Sequence, residues 1–218
     1  MSKLLDLVLP PTCAGCGAPG AACCAACARV WGAPIPIPLA TLAAFALAAY
    51  DGVARRLVLA YKERGRRDLA PVLGALLARA IPYLPGVSPA PDGFWWLVPV
   101  PSRRVASRIR GGPHMLRLAR ACARHLAEQG HRAAVAPGLV LDSHAKDAAG
   151  LARHQRAANL AGRITPEPAG LPPPGTPVLL LDDVLTTGST VSACARALRA
   201  SGYPVTGGLT LTNAHSSE

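Results

Sequence analysis

Residues 178–190 read "VLLLDDVLTTGST", an apolar run that ends in two adjacent aspartates and then a loop of hydroxyls with one glycine. A continuous apolar run of this length is what a central parallel strand, buried on both faces, requires. Ligands of open α/β sheets bind outside the carboxyl ends of such strands. Asp182 and Asp183 stand at that end, and side-chain alternation sends them to opposite faces. Either can accept hydrogen bonds from vicinal hydroxyls or help hold Mg²⁺. The following "STVSACARALRASG" reads as a helix, so Thr186, Thr187, Gly188, Ser189 and Thr190 lead into a helix N-terminus. Such a terminus offers unpaired amides and the positive end of the dipole, both suited to phosphate. Gly188 lets the backbone approach an anion with no Cβ in the way. A capped loop with nothing bound accounts for the Ser and Thr residues one by one. It does not account for two acids on a buried strand end, where ionised groups cost free energy unless satisfied.

The rest of the chain supplies the sheet this strand needs. "YDGVARRLVLAYKERG" and "DLAPVLGALLARAI" read as helices, the second with Asp68 as N-cap and Pro71 in its first turn. "FWWLVPV" reads as a buried strand, "PHMLRLARACARHLAEQG" as a long helix closed by Gly130, and "AAVAPGLVL" as one strand. "GLARHQRAANLAG" is an arginine-rich helix or loop, "PEPAGLPPPGTP" a turn-rich linker, and "VTGGLTLT" the last strand. Strands alternating with helices predict an α/β domain, a parallel sheet flanked by helices. At 218 residues the chain has room for one such core, over residues 33–218, and a small N-terminal module over residues 1–32. "GAPIPIPLA" reads as the connector between them.

That module holds five of the seven cysteines. Cys13 with Cys16, and Cys24 with Cys27, form two C-x-x-C pairs separated by seven residues. Two such knuckles converge on a structural four-thiolate Zn²⁺ site, which would staple a segment too short for its own core. Cys23 is the alternative third ligand, at the cost of a C-x₃-C spacing. The odd cysteine count argues against a secreted disulfide framework. No segment reaches the roughly 18 apolar residues of a membrane span, and the N-terminus lacks a secretory pattern. The expectation is a cytoplasmic protein.

Net charge is +11. Such a surplus fits an anionic partner, and it equally fits a solvated basic surface. Arg103 and Arg104 follow a second strand end, where arginine forks suit phosphate oxygens. Lys62 lies near a helix end, and Arg153 and Arg156 lie in "RHQRAANL". His114, His144 and His154 are the histidine candidates for proton transfer.

"VLLLDDVLTTGST" resembles the phosphoribosyl pyrophosphate (PRPP) motif of type I phosphoribosyltransferases. The resemblance implies that Asp182 and Asp183 meet the ribose hydroxyls, that residues 186–190 wrap the 5′-phosphate, and that Mg²⁺ accompanies the pyrophosphate. The order of motifs extends it: the cysteine pairs, then Y-x-G at residues 50–52 with Lys62, then V-P-V-P at 98–101 with Arg110 and Gly111, then R-x-x-N at 156–159. This arrangement resembles the ComF family of competence-associated proteins. It implies a phosphoribosyltransferase-like domain, Arg156 at the reacting centre, Lys62, Arg103 and Arg104 on the phosphates, and a link to DNA uptake through single-stranded DNA and a helicase partner. Where that family commonly has Phe-Asn after the Arg-Gly pair, this chain has Gly112 and Pro113, and Ala148 stands where a glutamine is common. A non-catalytic DNA-handling or scaffold protein on the same fold is the competing reading, although aromatics for base stacking are sparse at 4%. A nucleotide-sensing regulator without turnover is a third.

Overall fold

The computed structural model describes residues 11–101, 112–141 and 163–214. Its elements are α1 (Ala25–Ala28), β1 (Ile35–Ile37), β2 (Ala44–Ala49), α2 (Gly52–Glu63), α3 (Ala70–Ala80), β3 (Phe94–Pro99) and α4 (His114–Glu128). Then follow β4 (Arg132–Val135), β5 (Leu139–Leu141), β6 (Ile164–Pro166), β7 (Val178–Leu185), α5 (Ser189–Ala200) and β8 (Val205–Asn213). The main sheet runs β1-β2-β8-β7-β3-β4, parallel throughout except for β1, which pairs antiparallel on the edge. It is thus a mixed, mostly parallel sheet flanked by helices, with β5 and β6 forming a separate antiparallel pair. No helix among the described residues is long and apolar enough to cross a membrane.

Strand β7 shows why the apolar run had to be central. Leu179 and Leu181 enter the core beneath α2, α3 and α4, while Val178 and Leu180 enter the core beneath α5. Each fully buried leucine contributes about 2 kcal/mol of apolar transfer, and only an interior strand can bury both of its faces. Parity then fixes the acids: Asp183 follows Leu181 toward α2 and α4, and Asp182 follows Leu180 toward α5.

The connectivity positions the cleft. From β3 the chain passes through α4 to β4 at one edge, and from β7 through α5 to β8 in the other direction. The helices leaving these adjacent strands cover opposite faces, so a crevice opens where β3 and β7 end.

Three local readings are corrected. Asp68 does not cap α3, which is entered through a 3-10 turn at Arg67–Leu69; instead the Arg66 guanidinium clamps the Asp68 carboxylate at 2.7 Å. The single strand expected over residues 133–141 is two strands in different sheets, broken at Pro137 and Gly138. The Ala136 N–H still reaches the Leu97 carbonyl at 2.8 Å, but Gly138 turns against Gly170 instead of continuing the ladder. The connector and the alanine-rich run after it contain β1 and β2. Alanine has little strand preference, and pairing with β8, with Phe45 opposite Leu209, decides the conformation.

Helices α3 and α4 cross at Gly74, where an added Cβ would lie 2.6 Å from the Ala121 Cβ and 2.8 Å from the Ala121 carbonyl carbon. Gly74→Ala therefore trades a helix-propensity gain of up to ~1 kcal/mol for overpacking of about 1–3 kcal/mol. The expected result is a net loss, read as a thermal midpoint lowered by roughly 2–8 °C. A midpoint equal to or above that of the parent in a melting curve would show that the helices separate without cost.

Candidate functional site

A cleft of about 470 Å³ opens at the carboxyl ends of β3 and β7. Asp182, Asp183, Thr186 and Thr190 line it from β7 and the following loop, Lys62 from α2, and His114 from the start of α4. The fold thus gathers residues more than a hundred positions apart, because α2 and α4 pack on the face to which Asp183 points.

Asp183 is buried, at 1% exposure. Lys62 Nζ donates to its Oδ1 at 2.9 Å, and His114 Nε2 donates to its Oδ2 at 2.8 Å. Burial works to raise this carboxyl, but the His114 hydrogen bond and the Lys62 charge outweigh it and hold the group below the usual carboxylate range. The Tyr61 hydroxyl donates to the His114 carbonyl at 2.6 Å. Burial pushes the Tyr61 phenol up to about 12, against the nearby Arg117 charge, so it remains a donor. Among the described residues His114 Nδ1 is buried without a partner. Asp183 is therefore held by the fold, with both oxygens engaged.

Asp182 behaves differently. Its Oδ1 accepts the Asp183 backbone N–H at 2.8 Å. Burial, then the Asp183 charge, push its carboxyl up to about 7, with the Asp183 amide and Lys62 opposing. Two neighbouring acids with opposite shifts leave one fixed anion and one that takes or releases a proton near neutrality.

The loop beyond them is open. Thr186 and Thr187 are exposed, and the Thr187 and Ser189 hydroxyl oxygens lie 2.7 Å apart. Gly188 is the N-cap of α5 with φ 71° and has no side chain to cap it, no acid occupies the first turn, and the Thr187 hydroxyl accepts the Ser189 N–H at 3.4 Å. The Leu39 side chain packs on Gly188, with Cδ2 2.5 Å from where a Cβ would be. Thr41 and Ser192 share a hydroxyl hydrogen bond at 2.8 Å, and Arg199 Nη1 reaches the Thr41 carbonyl at 2.5 Å. The segment read as a mere connector thus braces the start of α5. Leu39, Thr41 and Tyr61 carried no motif that would have marked them, while His114 stood out only as one of three histidines.

In the N-terminal module the Sγ atoms of Cys13, Cys16, Cys24 and Cys27 lie within 4.8 Å of one another. Tetrahedral zinc with Zn–S bonds of about 2.3 Å needs sulfurs about 3.8 Å apart, and Cys16 and Cys24 are 3.7 Å apart. The Cys23 thiol lies 3.7 Å from the Cys24 carbonyl and is not one of the four clustered sulfurs. Burial raises the Cys13 thiol, but the amides of Cys24, Gly15 and Cys16 overcome it and bring the group to about 6, so it favours the thiolate a metal takes. The donor set fits a closed structural Zn²⁺ site held by these four residues. The module is seated on α2: Arg56 Nε donates to the Gly15 carbonyl at 2.6 Å, and Arg66 Nη2 to the Thr12 carbonyl at 2.8 Å.

Arg103, Arg104 and Arg156, with Arg153, His144 and His154, lie outside the described residues.

No family model and no curated protein matches the chain. Among solved structures it is similar to the allosteric regulatory enzyme of purine biosynthesis, at TM-score 0.38 and 15% identity over 69% of this chain, spanning only 30% of that one. It is also similar to orotate phosphoribosyltransferase from Aeropyrum pernix, at TM-score 0.33 and 18% identity over 83% of this chain and 76% of that one.

Proposed function

We propose that the cleft at the ends of β3 and β7 binds phosphoribosyl pyrophosphate, and that the chain is a phosphoribosyltransferase-like protein of the ComF type. The observation that carries the reading is the pairing, within one cleft, of the Asp182 carboxylate with a hydroxyl loop that opens a helix at a glycine N-cap. In this reading Asp182 accepts hydrogen bonds from the ribose hydroxyls. Asp183 orients Lys62 and His114 and keeps the floor of the cleft negative. Thr186, Thr187, Gly188, Ser189 and Thr190 take the 5′-phosphate with main-chain amides and hydroxyls. Lys62, Arg103 and Arg104 neutralise the pyrophosphate, and Arg156 acts at the reacting centre. Mg²⁺ bound with the substrate would offset the charge of the leaving pyrophosphate, and Asp182 is the cleft carboxylate that would help hold it. Catalysis is then mainly positioning and electrostatic stabilisation. The Cys₄ module holds Zn²⁺ as a staple, consistent with a cytoplasm that keeps thiols reduced. A part in DNA uptake, with single-stranded DNA and a helicase as partners, belongs to the same proposal and is supported by the motif order and the +11 charge.

Calorimetric titration with PRPP and Mg²⁺ tests the reading. Binding is expected in the parent and is expected to weaken by roughly tenfold to a hundredfold in Gly188→Val, which sets a β-branched side chain at φ 71° and against Leu39. Absence of heat and of any thermal shift in the parent protein would remove the proposal.

A further inference from the structure

The chain leaves the cysteine module at Gly32, whose N–H donates to the Leu47 carbonyl at 3.0 Å, and runs through β1 to Leu39 and Thr41. Both of these residues end on the start of α5. The Leu39 side chain lies on Gly188, and Leu39 and Leu42 pack in the apolar cluster that also holds Val191 and Cys194. The Thr41 and Ser192 hydroxyl oxygens are 2.8 Å apart, and the Ser192 N–H closes the first turn of α5 on the Gly188 carbonyl at 2.8 Å. One continuous strap thus joins the four clustered sulfurs to the loop at 186–190. We propose that Leu39 and Thr41 are positioning residues for that loop, and that through them the zinc-loaded module tightens the binding of a phosphorylated ribose. The assignment rests on the phosphoribosyl reading of the cleft.

The middle of the strap is weakly held. Strand β1 has three residues, Ile35 and Pro36 are exposed, and Pro36 has no N–H to give. With so few ladder bonds and so little buried surface, the course of the strap depends on its two ends. At the upstream end the module is fixed on α2 beside a zinc ligand. A Cβ on Gly15 would lie 2.8 Å from the Cys27 Sγ and 3.0 Å from Val53, and the Gly15 carbonyl accepts from Arg56 Nε at 2.6 Å. A metal that holds Cys27 therefore also holds Gly15 in its seat. At the downstream end Gly188, at φ 71°, sets the direction of the amides that follow it. Leu39 fills the space beside Gly188, so a displaced strap frees this turn to re-aim those amides. The coupling is reciprocal: the factor by which zinc tightens sugar-phosphate binding is the factor by which the sugar phosphate tightens zinc binding.

The probe is ribose 5-phosphate, which fills the loop without Mg²⁺ and has no pyrophosphate to take zinc itself. In calorimetric titrations Leu39→Ala is expected to keep its zinc and to bind ribose 5-phosphate about fivefold more weakly or worse. Leu39→Met, which refills the space, is expected to restore the parent affinity. The zinc-free Cys24→Ser is expected to lose a similar factor, and the double variant to lose no more than the weaker of the two, because both act through one strap. The reciprocal measurement uses the parent chain and needs no variant to fold. Saturating ribose 5-phosphate is expected to raise the concentration of a zinc-selective chelator needed to strip the metal, and to do so no longer in Leu39→Ala. Thr41→Val, which removes the Ser192 hydrogen bond and keeps the side-chain shape, serves if Leu39→Ala fails to fold. Losses that multiply in the double variant, an affinity indifferent to Leu39→Ala, or zinc retention indifferent to the sugar phosphate overturns the coupling. Binding of PRPP with Mg²⁺ but not of ribose 5-phosphate overturns it too, because the loop is then not the element being tightened. If the parent chain binds neither, the phosphoribosyl reading falls and the coupling falls with it.

Discussion

Asp183→Ala lowers the thermal midpoint by roughly 6–12 °C, whereas Asp182→Asn, one residue earlier, leaves it unchanged or raises it. The first expectation follows from what Asp183 holds. Lys62 Nζ at 2.9 Å and His114 Nε2 at 2.8 Å converge on a carboxylate with 1% exposure. Removing one partner of a buried pair costs about 3–5 kcal/mol, here through the lost Lys62 ion pair and the buried His114 Nε2 left without its acceptor. Lys62 is 29% exposed and regains some water, so the lower end, about 3 kcal/mol, applies. At about 2–4 °C per kcal/mol for a chain of this size, that gives the stated shift. Asp183 has its folded pKa depressed. The stability it contributes is therefore present above the ordinary aspartate range near pH 4 and is lost as pH falls through the lower folded value.

The sign is opposite at Asp182. Its folded pKa is raised to about 7, so the folded state binds the proton more tightly than the unfolded one. Its favourable contribution is complete below about pH 4 and disappears as pH rises through 7. Asp182→Asn keeps an oxygen for the Asp183 amide and removes the charge. It should gain on the order of 1–2 kcal/mol above pH 7, less than the full shift because the carboxylate is partly exposed, and nothing below pH 4. In the same variant PRPP binding is expected to fall. Melting curves of both variants from pH 4 to 8 decide the matter. A loss below 2 °C for Asp183→Ala, or a less stable Asp182→Asn at pH 8, would refute the division of labour between these neighbours.

The second large effect is at the cysteines. The purified chain is expected to carry one zinc, and Cys13→Ser or Cys24→Ser to lose it, by elemental analysis. Structural zinc binds with about 10–16 kcal/mol at neutral pH, and that energy is folding energy for a segment without its own core. Without the metal the four sulfurs lose the ion that holds them within 4.8 Å of one another, and residues 11–32 lose the geometry that seats Gly15 beneath Arg56. The first half of α2 loses its cover with them, so the loss is read as a lowered midpoint and as faster amide exchange over residues 52–56. Cys23→Ser is expected to keep the zinc and to change the midpoint by no more than about 2 °C, because its thiol lies outside the cluster. Zinc retained by Cys24→Ser, or lost from Cys23→Ser, contradicts the ligand set.

The sequence by itself determined whatever local chemistry dictates. Four apolar residues ending in two acids read as an interior strand end, and they form one in β7. The run of hydroxyls and Gly188 reads as the opening of a helix, and the two C-x-x-C knuckles as a convergent cluster, as the structure has them. The C-x-x-C spacing already favoured Cys24 over Cys23, and the fold adds the direction, with the Cys24 sulfur in the cluster and the Cys23 thiol beside the Cys24 carbonyl. The alanine-rich β2 was illegible for the same kind of reason: its residues favour no conformation, and the strand exists because β8 offers it partners. Above all, the two aspartates look alike in the sequence. Only the packing of α2 and α4 against one face of β7 brings Lys62 and His114 to Asp183 and leaves Asp182 on the other face. Charge partners that lie 121 and 69 residues away are set by topology, which no local pattern encodes.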